Sequence, residues 1–211
     1  MKQILSIVLI WMSAGVMCAQ DMKAVFIQMP DSIVPLLTKV NREDCVDFLA
    51  SNMAAKVKNR FDKQAELKVM TDGYLQMQLT DVSSMEMKLL PLNDSVKVIC
   101  MVKTYCASAC DSEIRFYTTD WKELSAMERF QYPSSDMFIQ MTEAISDESK
   151  MLLNKLDVKM YKLSLIPDET ALLVEYATPQ YLNSEDREKL LPYLRKEPLK
   201  YIWKEGRFVQ K

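Results

Sequence analysis

The strongest constraint on the fold is a change in apolar period near residue 66. Beyond this point apolar side chains recur at every second position, first at Leu75, Met77 and Leu79 and then at Met85, Met87 and Leu89. Successive residues of a strand point to opposite faces, so this period predicts half-buried strands. Turn-forming sequences separate them at residues 71–73, 81–84 and 92–95. The pattern therefore predicts an antiparallel sheet built from hairpins.

Further strands are predicted on the C-terminal side of this region. Residues 95–105 carry apolar side chains on both faces, which predicts a central strand covered on both sides. Residues 107–109 then form a short loop before a partner strand at 112–118, as in a hairpin. A second hairpin is expected over 159–177, and the chain ends in strands near 199–203 and 208–209.

Helical patterns lie between the strands. Asn41 and Asp44 resemble a loose capping box, and the apolar stripe behind them predicts a helix to about residue 58. Another helical stretch follows Ser134, with Met141 and Ile145 on its apolar face and a break near residue 146. A short helix is expected between residues 183 and 191. Together with the strands, these helices predict the α+β class.

Residues 20–211 are predicted to form one α+β domain, with possible halves at 20–132 and 133–211. The sequence of residues 87–94 resembles that of residues 162–169, and each precedes an apolar strand. Each half would then be a helix followed by a set of hairpins, packed against its neighbour. The alternative is that any two hairpins of one protein look alike at this level.

The N-terminal residues 1–19 are typical of a signal peptide. Lys2 precedes an uncharged apolar run that is too short to cross a bilayer, and cleavage is expected between Ala19 and Gln20. The mature chain would then be periplasmic or secreted and would have no transmembrane span. The alternative is an outer-membrane lipoprotein anchored through Cys18, although Met17 is larger than the residue that this pattern favours.

Composition excludes several classes of function. The chain has 27 basic and 29 acidic residues, without a basic cluster of the kind that nucleic acid requires. Because histidine is absent, Ser-His-Asp and Cys-His nucleophiles and histidine metal sites are excluded. The few glycines are isolated and cannot build a phosphate-binding loop. No cofactor and no metal ion is predicted.

Cys106 and Cys110 are the sharpest local feature. They flank the three-residue hairpin loop, where a disulfide is geometrically accessible. Free thiols, redox chemistry and a thiolate metal site are the alternatives, but the C-x-x-C spacing of redox pairs is missing. Cys45 and Cys100 lie on apolar faces and are either buried thiols or a second bridge.

Two other residue types have a structural interpretation. The carboxylate pairs Asp168/Glu169 and Glu185/Asp186 lie at a turn and at a helix start, where acidic side chains serve as caps. Methionines are frequent and occur at spacings expected of core side chains, at Met77, Met85, Met87, Met141 and Met151.

The exported start and the strand-loop-strand sequence of residues 98–112 together resemble a known family. They are similar to a family of secreted Bacteroidales proteins, the domain-of-unknown-function family 3256. The resemblance implies no activity and no catalytic residue. The layout of helices and hairpins also resembles the β-lactamase-inhibitor-protein type, which is an analogy of architecture and implies no function.

The sequence favours a non-enzymatic domain that binds an unidentified protein or ligand of the cell envelope. This hypothesis predicts an exposed aromatic face, for which the candidates are Tyr74, Tyr105, Tyr117 and Trp121. A small hydrolase or thiol-dependent enzyme is the alternative, and it predicts a cleft with converging carboxylates or thiols. A purely structural envelope component is a third hypothesis.

Overall fold

The computed structural model of the protein describes residues 21–140 and 146–211. Within them the helices are α1 (Met22–Gln28), α2 (Lys39–Ala50), α3 (Asp147–Leu153) and α4 (Ser184–Leu190). The first strands are β1 (Ala55–Lys58), β2 (Gln64–Met70), β3 (Tyr74–Thr80), β4 (Ser83–Pro91), β5 (Lys97–Cys106), β6 (Cys110–Thr118) and β7 (Glu123–Leu124). The later strands are β8 (Tyr161–Leu165), β9 (Ala171–Tyr176), β10 (Leu199–Lys204) and β11 (Arg207–Gln210).

Strands β1 to β7 form one antiparallel sheet in which every strand pairs with its neighbours in sequence. The turns predicted near residues 71–73, 81–84 and 92–95 separate β2 from β3, β3 from β4 and β4 from β5. Strand β5 pairs with both β4 and β6 along most of its length and is buried on both faces. The predicted central strand and the hairpin after it are therefore confirmed.

The second sheet contains four antiparallel strands in the order β11-β10-β9-β8. Its first hairpin joins β8 to β9, and its last joins β10 to β11 through Glu205 and Gly206. Gly206 has a φ of 79°, a left-handed conformation that glycine adopts without strain. The strands expected over 159–177 and near the end of the chain are confirmed.

The elements pack in three layers around two cores. Helices α1 and α2 cover one face of the large sheet, where Phe26, Met77 and Met101 are buried. The second sheet covers the other face, where Phe116, Leu163 and Trp203 are buried. Because both faces of β4 and β5 are covered, these strands are apolar on both sides rather than strictly alternating. The predicted α+β class is confirmed.

The predicted extension of the first helix to residue 58 is wrong. Thr38, rather than Asn41, is the N-cap, and Asn41 completes the capping box from the third helical position. The helix ends at Ala50, and Asn52 has a φ of 55°, which a helix cannot accommodate. Residues 55–58 form β1, in which Ala55 and Val57 are buried and Lys56 and Lys58 are exposed.

The resemblance between two halves does not extend to their layout. The large sheet follows two helices without interruption, whereas α4 lies between β9 and β10 in the second sheet. The sheets have seven and four strands, and the β-lactamase-inhibitor-like layout is not confirmed. Residues 87–94 and 162–169 look alike because both end a strand at a turn.

The region after Ser134 is less helical than predicted. Residues 135–138 form a single 3-10 turn, while α3 begins after Ser146, as the predicted break suggests. Met141 and Ile145 lie outside the described residues. Met151 was predicted to be buried but is 70% exposed, because α3 packs through Leu152 instead. No helix of the described part of the chain has the length and apolar character of a membrane span.

Candidate functional site

The structure joins Cys106 and Cys110, whose sulfur atoms lie 2.08 Å apart. The two residues form the last pair of the β5–β6 hairpin, as the sequence predicted. The loop is held further by the Cys106 amide, which donates to the Val82 carbonyl of the neighbouring hairpin at 2.8 Å. These contacts tie together the tips of two adjacent hairpins.

Cys45 and Cys100 are buried free thiols. They lie in different cores, on opposite sides of the large sheet, so they do not form the second bridge considered above. Burial raises the pKa of the Cys45 thiol to about 11 and that of Cys100 well above its usual value. Both side chains are therefore protonated at neutral pH and are poor nucleophiles.

The four aromatic residues proposed as an interaction face do not form one. Tyr105 is 53% exposed, but Tyr74, Tyr117 and Trp121 are buried. Tyr74 faces the second sheet, whereas Tyr117 and Trp121 pack together under the N-terminal helices with ring centroids 5.3 Å apart. The Trp121 indole donates to the Val25 carbonyl at 3.1 Å, which fixes it in the core.

Other predicted residues are not brought together. Ala19, Gln20 and Cys18 lie outside the described residues. Glu169 is paired with Lys200, and Asp186 with Lys155, as expected of surface acids at a turn and a helix start. Within residues 21–140 and 146–211, no group of three acidic or cysteine side chains is arranged to hold a metal ion.

A pocket of about 290 Å³ lies beside α4 and is the best candidate for a functional site. We call it the basic pocket. Its floor is largely apolar and its rim carries three cations; it is lined by Phe138, Tyr176, Pro179, Gln180, Arg187, Leu191, Leu194, Arg195 and Lys196. No carboxylate of the described residues lines it.

Short backbone contacts hold the walls of the basic pocket. Asn183 caps α4 by accepting from the Asp186 amide, which sets the helix that carries Arg187. Across the pocket, Ile139 pairs with Leu194 in an antiparallel bridge. The Arg195 amide donates to the Phe138 carbonyl at 2.8 Å, so the arginine is fixed at the end of this bridge.

The floor of the basic pocket is a pair of stacked aromatic rings. The Phe138 and Tyr176 rings lie 5.4 Å apart with an angle of 21° between their planes. The Tyr176 hydroxyl is buried and lacks a well-aligned hydrogen-bond partner, although Thr178 lies near it. Desolvation raises the pKa of this phenol, so it stays protonated and can donate a hydrogen bond.

The charges around the basic pocket are largely uncompensated. Among the described residues, no carboxylate lies within 4.0 Å of the guanidinium of Arg187 or Arg195 or the ammonium of Lys196. Arg195 Nε donates only to the Glu197 carbonyl, at 3.2 Å. An anion is attracted more strongly here than on a mixed surface, because the apolar floor lowers the local dielectric.

The basic pocket leaves no local signal in the sequence. Its cations come from α4 and from residues 195–196, which follow a 3-10 turn at Leu191–Tyr193, so they form no run in the sequence. Phe138 and Tyr176 also have the spacing of ordinary core residues. Only the pairing of residue 139 with residue 194 brings these elements together, and no local pattern encodes that contact.

The fold and pocket define an α+β domain with two antiparallel sheets and a pocket lined by apolar and cationic side chains. The model of the family described as protein of unknown function, DUF3256, matches residues 14–208. The chain belongs to this family, as the resemblance suggested.

A solved structure has the same fold over most of the chain. It is a domain of an uncharacterized protein from Porphyromonas gingivalis W83, with a TM-score of 0.78 and 27% sequence identity. The alignment covers 90% of this chain and 96% of that one. No curated protein matches the chain at a significant level.

Proposed function

We propose that this protein is a non-enzymatic binding domain whose basic pocket holds a small organic anion with an apolar body. One observation carries the proposal: a largely apolar floor is surrounded by Arg187, Arg195 and Lys196, with no carboxylate of the described residues in the lining. Ligand pockets typically combine an apolar lining with a few placed polar groups. The alternative of a thiol enzyme has less support, because both free thiols are buried and protonated.

The chemistry of the pocket defines the ligand in two parts. A carboxylate, sulfonate or phosphate group would pair with Arg187 and Arg195, because guanidinium groups bind such anions through two parallel hydrogen bonds. An aromatic or aliphatic body would cover the Phe138 and Tyr176 rings and remove apolar surface from water. A volume of about 290 Å³ suits a small molecule rather than a folded partner.

Two fluorescent probes test this proposal. 8-Anilinonaphthalene-1-sulfonate and N-phenyl-1-naphthylamine share an apolar frame, but only the first carries a charged group. We expect saturable binding of the sulfonate probe to the native protein. Arg187→Gln and Arg195→Gln should each weaken that binding about fivefold, as expected for the loss of one charged hydrogen bond in a partly exposed site.

The neutral probe is the control for the two arginine variants. Its binding should change by less than about twofold, because the variants leave the apolar floor intact. Lys122→Gln removes a distant exposed cation that pairs with Asp120, and it should affect neither probe. If both arginine variants bound the sulfonate probe as tightly as the native protein does, the assignment of the pocket would be wrong.

We also propose that the domain works outside the cytoplasm, after removal of residues 1–19. The Cys106–Cys110 disulfide supports this, because such bonds persist in oxidising compartments. The mass of the protein purified from its native source should correspond to a chain that begins at Gln20. A chain that retains Met1 would contradict export by cleavage, and a lipid on Cys18 would identify a lipoprotein.

A further inference from the structure

A second groove lies along the outer edge of β11, and its lining shares no residue with that of the basic pocket. It has a volume of about 470 Å³, and all four residues of β11 line one wall. Residues 127–134 line the other wall, together with Met137. Several apolar side chains stand exposed around it: Met127, Tyr132, Met137 and Val209.

The backbone of β11 has unused hydrogen-bonding groups on this side. The Lys211 amide donates to the Lys200 carbonyl at 2.9 Å, towards β10, so the neighbouring Gln210 amide and carbonyl point outward into the groove. The Phe208 amide also points outward and donates to the Arg129 carbonyl at 2.7 Å. No other described residue bonds to the Phe208 carbonyl or to the Gln210 backbone.

These free groups match what an added strand needs. A residue of an extended peptide that runs parallel to β11 could donate to the Phe208 carbonyl and accept from the Gln210 amide, which would add a strand to the second sheet. The opposite edge of this sheet, strand β8, is closed differently. The outward amides of β8 donate to three side chains of the large sheet, Asp111, Ser112 and Glu86. Among the described residues, β11 is therefore the edge of this sheet that keeps an unfilled outward amide, at Gln210.

The charges of the groove favour an acidic strand. Arg207 has no carboxylate of the described residues within 4.0 Å, and Arg129 only meets Glu128 at 3.5 Å. Both Arg129 and Glu128 line the groove, and the Arg129 side chain is mostly buried, whereas Arg207 is exposed. A carboxylate of a bound peptide would pair with the exposed Arg207 guanidinium through charge-assisted hydrogen bonds.

We propose that this groove binds an extended acidic peptide segment of another protein, which adds to β11 as a fifth strand of the second sheet. The backbone of Phe208 and Gln210 supplies the hydrogen bonds, and Arg207 selects for glutamate or aspartate. The exposed apolar side chains around the groove contact the alternate side chains of the peptide. This site is independent of the basic pocket, so each can fail without the other.

The experiment uses a short fluorescein-labelled peptide of alternating threonine and valine with glutamate at its centre. We expect saturable binding by fluorescence anisotropy, and about tenfold weaker binding to Gln210→Pro, which loses the outward amide. Gln210→Ala keeps that amide and is the matched control, so it should bind within about twofold of the native protein. Arg207→Gln should reduce the preference for this peptide over one with central glutamine.

A second measurement keeps the test valid if Gln210→Pro does not fold. A peptide that is N-methylated at alternate residues cannot donate to the sheet, and it should bind the native protein about tenfold more weakly. Equal binding of both peptides, or of the proline and alanine variants, would overturn the proposal. So would a dimer in sedimentation experiments that Gln210→Pro dissociates, because a second copy of the chain would then occupy the edge.

Discussion

At the scale of single residues, Glu86 and Lys88 show how charged side chains are accommodated between the two sheets. Both lie on β4 and face the second sheet. Glu86 accepts from the Leu165 amide at 2.6 Å, and the Lys88 ammonium donates to the carbonyls of Ile166 and Pro167. Burial raises the pKa of Glu86 and lowers that of Lys88, because the charged forms are poorly solvated there. These side chains satisfy backbone groups of β8 and of the turn after it, although their charged forms are poorly solvated there.

Glu86→Gln should therefore make the protein more stable at neutral pH. The folded pKa of Glu86 lies above its unfolded value of 4.5, so the folded state binds the proton more tightly. The stabilisation that comes from protonating Glu86 is fully present below that unfolded value, and it is lost as pH rises through the folded pKa. Glutamine keeps an oxygen for the Leu165 amide and carries no charge. Urea unfolding of both proteins should show a difference at pH 7 that disappears near pH 4.

Glu66 provides a control of opposite sign. The hydrogen bond from Lys68 lowers the pKa of this partly buried carboxyl. The stabilisation that Glu66 provides is therefore present at neutral pH and is lost as pH falls through the folded pKa. Glu66→Gln should thus be slightly destabilising at pH 7. A Glu86→Gln protein that was less stable than the native protein at neutral pH would show that the Leu165 hydrogen bond outweighs desolvation.

At the scale of elements, one buried arginine connects α2 to the N-terminal segment. Arg42 is 1% exposed and donates to the carbonyls of Met29 and Leu37 and to the Asp31 carboxylate. Met29 is the C-cap of α1, where carbonyl groups have no partner within the helix, and Leu37 lies just before the N-cap of α2. Arg42 thus substitutes for a helix cap and fixes the path of the chain between α1 and α2.

Arg42→Met should destabilise the protein by about 2–4 kcal/mol, because at least two buried carbonyl groups lose their donors. Arg60→Met is the matched control, since Arg60 binds the same Asp31 from an exposed position. An exposed ion pair contributes at most about 1 kcal/mol, so the control should change little. Thermal and urea unfolding would compare the two variants with the native protein. An equal loss of unfolding free energy in both would show that Arg42 acts only through its ion pair.

The elements could be predicted from the sequence wherever a local period was unambiguous. Met77, Met85 and Met87 occupy one face of β3 and β4 as their spacing predicts. Val57 was predicted to lie in a helix, but its spacing from neighbouring apolar residues fits both a helix and a strand. The positive φ at Asn52 ends the helix and leaves Val57 in β1. The burial of Tyr117 and Trp121 could not be predicted, since it depends on α1 covering that end of the sheet.

The candidate sites depend even more on contacts between distant parts of the chain. The Cys106–Cys110 pair was predictable because a hairpin loop brings its members together locally. By contrast, the basic pocket depends on the bridge between residues 139 and 194. The groove along β11 depends on the hydrogen bond between residues 129 and 208. Neither contact leaves a periodic signal, so both sites became visible only in the structure.

At the scale of the whole molecule, the large sheet is shared by both cores. Along β5, Ile99 and Met101 belong to the core under the helices, whereas Val98, Cys100 and Val102 belong to the core between the sheets. Loss of either covering layer would expose one face of the same strands to water. Each core therefore stabilises the other through a common set of strands.

This arrangement predicts that the protein unfolds in one cooperative transition despite its two sheets. If the second sheet detached first, Phe116 and its neighbours on the large sheet would be exposed, and burying such side chains contributes about 1.5–3 kcal/mol each. Calorimetry should give equal calorimetric and van't Hoff enthalpies, the mark of a two-state transition. Leu163→Ala, in β8, should lower the midpoint without splitting it, since Leu163 is buried against the shared sheet. Two resolved transitions would instead mean that β8 to β11 fold independently, with the polar contacts of Glu86 and Lys88 too weak to couple them.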